Sequence, residues 1–596
     1  MRRLALPLLA LYCLLALACR KDDPAPQTAA PVPPPAPEIA KAVRKAGPVL
    51  FVGLDGADWE LLDGYMAAGV MPNLAALVRE GRPGVLSTIH PPLSPLVWTT
   101  MMTGTSPLEH GILDFTRRNP ETGAVEPITS GERLVPAIWN MAADGGKSVA
   151  VFGLWATWPA EPVRGLLVAD RFFTSPGAEP SAGAVFPPEQ EAWAREALGK
   201  TEEAVGYEAL HEYLPSLTEE EYEKSIAEPD PYHPVSALRR ILVETRAHHG
   251  LATSWLAKER PSLAVVSIRG TDIQDIAKPE DFERFSGVPQ RYFAEVDRML
   301  GDYRKLAEAS GAVLMIASGH GFSSATAAAG GKGKRDDGIY LLWGPGIEAS
   351  PQRDRGEVAQ VCSTLLALLG LPPGQGVAGP PLPGVEVTRD TLADYRASYR
   401  TVPVPPDTTR TAGSYDNEGL LHREKGEVDE AAASFQKALE LAPGNASSLW
   451  NLSDLLHSAQ KDLDRSDDLL LQALEGGLPE GIDFTVGRTV AYARAGETAR
   501  GLRLLDRALT AKPKEPRLLL LRGRYRLQRH QCERALGDFE GASRSDPRNA
   551  LAYASVGLAR LCIGDGEGAA QAFRRSLEID PKQPEIRRAL GQIGGG

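Results

Sequence analysis

The stretch VLFVGLDG, Val49 to Gly56, opens the interpretation of the chain. Val49-Leu-Phe-Val52 is an unbroken apolar run, too short for a core helix and closed by glycines. That is the signature of a strand buried on both faces. Three further runs share it: Leu263 to Ile268 ends just before Asp272, Val313 to Ala317 ends just before His320, and Ile339 to Trp343 follows Gly333-Lys334-Arg335-Asp336-Asp337. Helix-like patterns alternate with these runs, so the expected fold is a doubly wound α/β sheet. In such sheets the active crevice lies beyond the carboxyl ends of the strands. Asp55, Asp272 and His320 therefore arrive at one edge. Any one alone is an ordinary turn residue, but three together favour a site.

A candidate nucleophile lies in HPPLSPLVWTTMMTGTSPLEHGI, His90 to Ile112. Ser94-Pro95 has the form of an N-cap followed by proline at the first helical position. A hydroxyl there meets the positive end of the helix dipole, which favours an alkoxide and attracts phosphate. Taken alone, Ser94 simply caps its helix.

It does not stand alone. Gly53-Leu-Asp55-Gly56, then Ser94 ten residues before Gly104, then Pro107-x-x-His110-Gly111-Ile112, resembles the alkaline phosphatase superfamily, closest to its type I phosphodiesterase and nucleotide pyrophosphatase branch. The likeness continues through Trp158 to Pro162, Gly270-Thr-Asp272, Ser318-Gly-His320-Gly321 and Asp337-Gly-Ile339 to Gly346. It covers roughly 48–388, apart from an acidic insertion near 173–234 that would cap the site. The resemblance implies two metal ions, usually zinc, that activate a Ser or Thr nucleophile and neutralise charge on phosphate. It makes Ser94 the nucleophile, Asp55 and His320 ligands of one metal, and Asp272 a ligand of the second.

Three further ligands are missing. Their positions hold Ile276, Gly319 and Lys334. One carboxylate cannot hold zinc where three protein ligands are normal. The resemblance with these losses implies a degenerate, inactive phosphodiesterase domain with no metal. The alternative is an active metal-dependent phosphodiesterase using Ser94. It would hold a single weakly bound zinc or manganese, completed by water or by Asp275, Asp336 or Asp337. Lys334 stands where a metal charge would balance Asp55 and Asp272, and with the Ser94 helix it would hold a phosphorylated or anionic ligand.

Beyond Val402-Pro-Val-Pro-Pro406 the chain repeats. Ala431, Phe435, Ala438 and Pro443 recur as Ala535, Phe539, Ala542 and Pro547, and again as Ala569, Phe573, Ser576 and Pro581. Gly419, Gly523 and Gly557 fall where paired helices approach closely, and Gly426, Gly496 and Gly564 fall in turns. This resembles the tetratricopeptide repeat, in about five copies with a final capping helix, whose groove binds a protein or peptide. The expected domains are a signal peptide 1–19, a Pro/Ala-rich tether 20–46, the α/β domain 47–395, a linker 396–413 and the repeats 414–594.

At 596 residues the chain is long enough for several cores, and its formal net charge of −12 gives no reason to expect nucleic acid. Arg2-Arg3, the apolar run Leu4 to Ala18 and then Cys19 resemble a bacterial lipoprotein signal, with Cys19 lipidated and the mature protein anchored to a membrane. Arg20 rather than aspartate follows, so the inner-membrane retention signal is missing and the address points to the outer membrane of the cell envelope. Cys362, Cys532 and Cys562 are scattered, form no disulfide framework by spacing, and are expected in the core.

Overall fold

The computed structural model describes residues 46–173, 181–227, 230, 233–270, 273, 276, 281–321, 337–386, 391–399 and 407–594. Cys19, Asp272, Asp275, Lys334 and Asp336 lie outside the described residues. The described chain forms two compact units, one running to Leu441 and the other beginning at Ala442.

A nine-stranded sheet organises the first unit. Its strands in chain order are β1 Val49–Leu54, β2 Arg82–Ser87, β3 Val149–Phe152, β4 Gly165–Val168, β5 Val185–Phe186, β6 Leu263–Ile268, β7 Val313–His320, β8 Asp337–Trp343 and β9 Asp354–Glu357. Their spatial order is β9-β2-β8-β7-β1-β6-β3-β4-β5. All four apolar runs singled out in the sequence are strands. The centre is parallel: Val49 pairs with Leu263 on one side and Val313 on the other, and Gly53 with Ser267 and Ala317. The sheet is nevertheless mixed, because β8 runs antiparallel to both β7 and β2, and β5 antiparallel to β4.

The continuous apolar character of β1 has a direct cause. Leu50, Val52 and Leu54 feed one hydrophobic layer, while Val49 and Phe51 feed the layer on the opposite face. Each such side chain contributes roughly 1.5–3 kcal/mol when fully buried. On the second face packs α1, Ser94–Thr103, whose residues from Pro95 to Thr103 are all buried. On the first lie the long helices α2, Pro234–Glu259, and α3, Val288–Ser310. The acidic insertion is built into this layer: Ala194, Leu198, Leu210 and Leu214 are buried with it. The Tyr213 hydroxyl donates to Glu295, whose carboxylate also takes Arg246 at 2.7 and 2.9 Å.

Helix hairpins follow the predicted repeat: Ala412–Glu424 (α4) with Val428–Leu441, Ala446–Ser458 with Leu463–Glu475, Gly481–Arg494 with Thr498–Ala511, Pro516–Gln528 with Cys532–Ser545, and Ala550–Cys562 with Gly566–Ile579. Pro584–Gly594 follows as a last helix. The spaced glycines explain themselves. A Cβ on Gly419, Gly523 or Gly557 would stand 2.5, 2.5 or 2.3 Å from the ring of Phe435, Phe539 or Phe573. Gly426, Gly496 and Gly564 turn the hairpins at φ of 79, 83 and 88°.

Two features differ from expectation. The first hairpin belongs to the first compact unit, which runs past the expected linker to Leu441. Cys532 and Cys562 are not isolated core residues but form a disulfide. One opens a helix and the other closes the first helix of the next hairpin, a meeting set by repeat geometry that sequence spacing does not reveal. Among the described residues, Cys362 is the free cysteine, and it is buried.

Candidate functional site

The parallel register brings Asp55, Arg269 and His320 to the same edge as the first turn of α1. Ser94 does not cap that helix. The N-cap position is Leu93, without a side-chain hydrogen bond, and Ser94 is the first helical residue. Its hydroxyl is thereby released to donate to Asp55 Oδ1 at 3.1 Å, and it stands 3.1 Å from His320 Nε2. His320 Nε2 is in turn 3.2 Å from Asp55 Oδ1. His320 Nδ1 lies 3.0 Å from the carbonyl of Gly321, a contact that orients the ring with Nε2 toward Ser94 and Asp55. The structure thus brings together three of the predicted site residues, Asp55, Ser94 and His320.

Two tryptophans complete the cluster. Trp98 Nε1 donates to Asp55 Oδ1 at 2.8 Å, and Trp155 Nε1 donates to Asp55 Oδ2 at 2.9 Å. Both carboxylate oxygens are therefore engaged. Burial alone would raise the Asp55 carboxyl, but adjacent His320 and the two indole N–H groups hold it below its ordinary range. Gly53 makes the approach of Trp98 possible, since a Cβ there would lie 2.4 Å from the indole. Sequence reasoning passed over both donors. Trp98 stands four residues after Ser94, hence on the same helix face, which was a usable signal. Trp155 is 100 residues from Asp55 and carries no comparable signal.

Beside Trp155 lies a buried charge pair. The Arg269 guanidinium stacks over the Trp155 ring, 4.7 Å from its centroid, and its Nε donates to Glu244 at 2.6 Å. Ser318 ties two strand ends together, accepting from Ala57 N–H at 3.1 Å and donating to the His320 carbonyl at 2.7 Å. His110 of the Pro-x-x-His-Gly motif is structural. Its Nδ1 accepts from Ile112 N–H at 3.2 Å, which leaves the Nε2 proton to donate to Thr100 at 3.0 Å, and burial holds its pKa down to about 3.

Two of the missing-ligand positions, Gly319 and Ile276, lie in the described residues and are closed in their own ways. A Cβ on Gly319 would stand 2.3 Å from Val97 Cγ1 and 2.9 Å from Met101 Sδ, so α1 has packed into the space that an aspartate needs. Ile276 packs against the hydrophobic core. Asp337, a proposed substitute ligand, is paired with Arg355 at 2.9 Å. Among the described residues no group of three or more His, Cys, Asp or Glu side chains could hold a metal ion.

A family model described as type I phosphodiesterase / nucleotide pyrophosphatase matches residues 49–362, and tetratricopeptide models match 412–445 and 520–584. Among solved structures, phosphonoacetate hydrolase from Sinorhizobium meliloti 1021, with phosphonoformate, is 17% identical with a TM-score of 0.30, covering 48% of this chain and 60% of that one. YrrB, a TPR protein with an unusual peptide-binding site, is 20% identical with a TM-score of 0.22, over 30% and 90% of the two chains. The second TPR domain of human RPAP3, in complex with an HSP70 peptide, is 23% identical with a TM-score of 0.18, over 19% and 93%.

Proposed function

Because the chain belongs to the type I phosphodiesterase / nucleotide pyrophosphatase family, we propose that its altered sheet edge makes it a pseudoenzyme: a phosphodiesterase domain that no longer performs two-metal hydrolysis, joined to tetratricopeptide repeats that bind a protein or peptide. One observation carries the reading. The carboxylate that would hold a metal has both oxygens committed to indole N–H groups, while the next ligand position, Gly319, has no room for a side chain. The residues present do not fit a two-metal centre. Losing one ligand already damages a metal site badly.

What remains is suited to holding an anion rather than cleaving an ester. Ser94 lies at the positive end of α1, and Lys334 follows the same edge in sequence. The repeats supply the working surface for a partner. A lipid on Cys19 would hold the protein at the cell envelope, and the Cys532–Cys562 disulfide suits an oxidising compartment outside the cytosol. Replacement of Cys19 by serine should abolish incorporation of labelled lipid in a bacterial host.

A second reading keeps catalysis. Asp55 Oδ1, Ser94 Oγ and His320 Nε2 form a triangle 3.1 to 3.2 Å on a side, a face that would offer three donors to a single zinc or manganese ion. Metal content decides between the two. Mass spectrometry on purified residues 20–596 should find near-zero zinc and manganese in both the parent and Asp55→Ala. One or two ions per parent chain, lost in the variant, would overturn the pseudoenzyme and call for a phosphodiester screen with Ser94→Ala.

A further inference from the structure

Asp114 follows the His-Gly-Ile-Leu segment and uses one carboxylate to join two parts of the first unit. Its Oδ1 accepts from the Phe115 backbone N–H at 2.7 Å. Its Oδ2 accepts the hydroxyls of Thr116 at 3.2 Å and Thr411 at 2.8 Å. Thr411 is the N-cap of α4, and its Oγ1 also accepts from Ser414 N–H at 3.0 Å. One residue before Asp114, the Leu113 carbonyl accepts from the Asn417 amide at 2.8 Å. Gly413 completes the fit, since a Cβ there would stand 2.7 Å from Asp114 Oδ2. The first turns of α4 are thus fastened to the 113–116 loop.

The same loop leads to the candidate site. The Phe115 ring meets Trp155 edge-on, with centroids 5.4 Å apart and planes at 78°. Trp155 donates to Asp55 Oδ2. Asp55, Trp155, Phe115, Asp114 and Thr411 therefore form an unbroken chain of direct contacts. Phe115 is 37% exposed. Trp155 is the aromatic neighbour that meets its ring.

We infer that Phe115 couples the Asp55 cluster to the first repeat hairpin, so that an anion engaging Ser94 and His320 and a protein gripping the hairpin each alter the other's affinity. The physical step is an exchange of partners. When an anion on Ser94 and His320 drives the Asp55 carboxylate away by like-charge repulsion, the Trp155 N–H loses its acceptor, the indole moves, and Phe115 and the loop that holds Thr411 follow. Coupling of this kind is reciprocal by thermodynamic necessity. It requires an element with two arrangements rather than proximity alone; that role falls to the Phe115–Trp155 pair, in which Phe115 is 37% exposed. The inference holds whether or not the site retains catalysis.

The test uses the full chain labelled with 5-fluorotryptophan, with the Trp155 resonance assigned by its loss in Trp155→Phe. Thr411→Val removes the hydroxyl at the far end of the path. The Trp155 resonance should shift, the other eight of the chain's nine tryptophans should not, and Thr411→Ser should restore the parent position. In the opposite direction, Phe115→Leu and Trp155→Phe should speed amide exchange over 411–424 by about fivefold, the factor one net hydrogen bond is worth. Exchange over 446–594 should stay at the parent rate. If Thr411→Val unfolds the hairpin, Asn417→Ala takes its place. An unmoved Trp155 resonance, or parent-rate exchange over 411–424 in both aromatic variants, overturns the coupling. Either result leaves the metal-content test untouched.

Discussion

Glycine makes room for a neighbour in both halves of the molecule, with opposite consequences. In the repeats, Gly557 yields to Phe573, whose ring would lie 2.3 Å from an added Cβ. At the sheet edge, Gly319 yields to Val97 at the same 2.3 Å. The repeat glycine and its aromatic ring are two parts of one packing motif, used in three of the five hairpins. Gly319 instead stands where the family resemblance expects a metal ligand, and its neighbour is an ordinary core side chain. A packing motif is tied to the fold that displays it. A ligand motif can be lost while the sheet, buried on both faces, stays intact.

The comparison breaks most readily at the repeat. Phe573→Ala should cost about 3–5 kcal/mol, the usual range for a fully buried phenylalanine, measured by denaturant unfolding; a loss below about 1 kcal/mol would detach the motif from stability. Replacing Cys532 and Cys562 together by serine should cost about 3.6 kcal/mol, the chain-entropy value for a separation of 30 residues. Thermal melting with and without reductant checks it, since reduction of the parent should reproduce the loss.

Gly319→Asp sharpens the other side. Overpacking against Val97 should destabilise by about 1–3 kcal/mol, with no gain in bound zinc. A stable variant that takes up zinc would show that the ligand position is still open.

The smallest expected effect is on pH. Burial lowers the pKa of His110 from 6.5 to about 3 and that of His248 to about 4. Both are neutral when folded, whereas the unfolded chain binds their protons below its ordinary pKa. Their contribution to stability is therefore complete above pH 6.5. It falls as pH drops, by about 1.4 kcal/mol per unit for each histidine, and levels off below the folded values. Both residues lie in the first unit, so its unfolding between pH 6.5 and 4 should show the loss more steeply than the melting of 442–594. Equal slopes would contradict the assignment.

Much of this was legible in the sequence because it was local. The run Val49 to Val52 announced a strand through continuous apolarity, and Gly523 with Phe539 announced a hairpin through fixed spacing. The convergence of Asp55 and His320 followed from strand ends meeting at one edge, and Ser94 joined them through the family resemblance. What stayed hidden depended on contacts between distant segments. Trp155 reaches Asp55 from the turn after another strand, Cys532 finds Cys562 only once the helices stack, and Ser94 is one position inside its helix rather than at the cap. The docking of the first hairpin was hidden for the same reason, since neither Asp114 nor Thr411 stands out among the turn residues around it.

The bonds of Thr411 and Asn417 have a consequence for how the protein can be divided and recombined. The proline-rich break near Val402 looks like the natural seam, yet a cut there would take Thr411 from Asp114 and Asn417 from the Leu113 carbonyl. The seam that leaves these bonds whole lies after Leu441. Swapping repeats between relatives should therefore succeed as a cassette beginning at Ala442, with the first hairpin inherited alongside the phosphodiesterase domain.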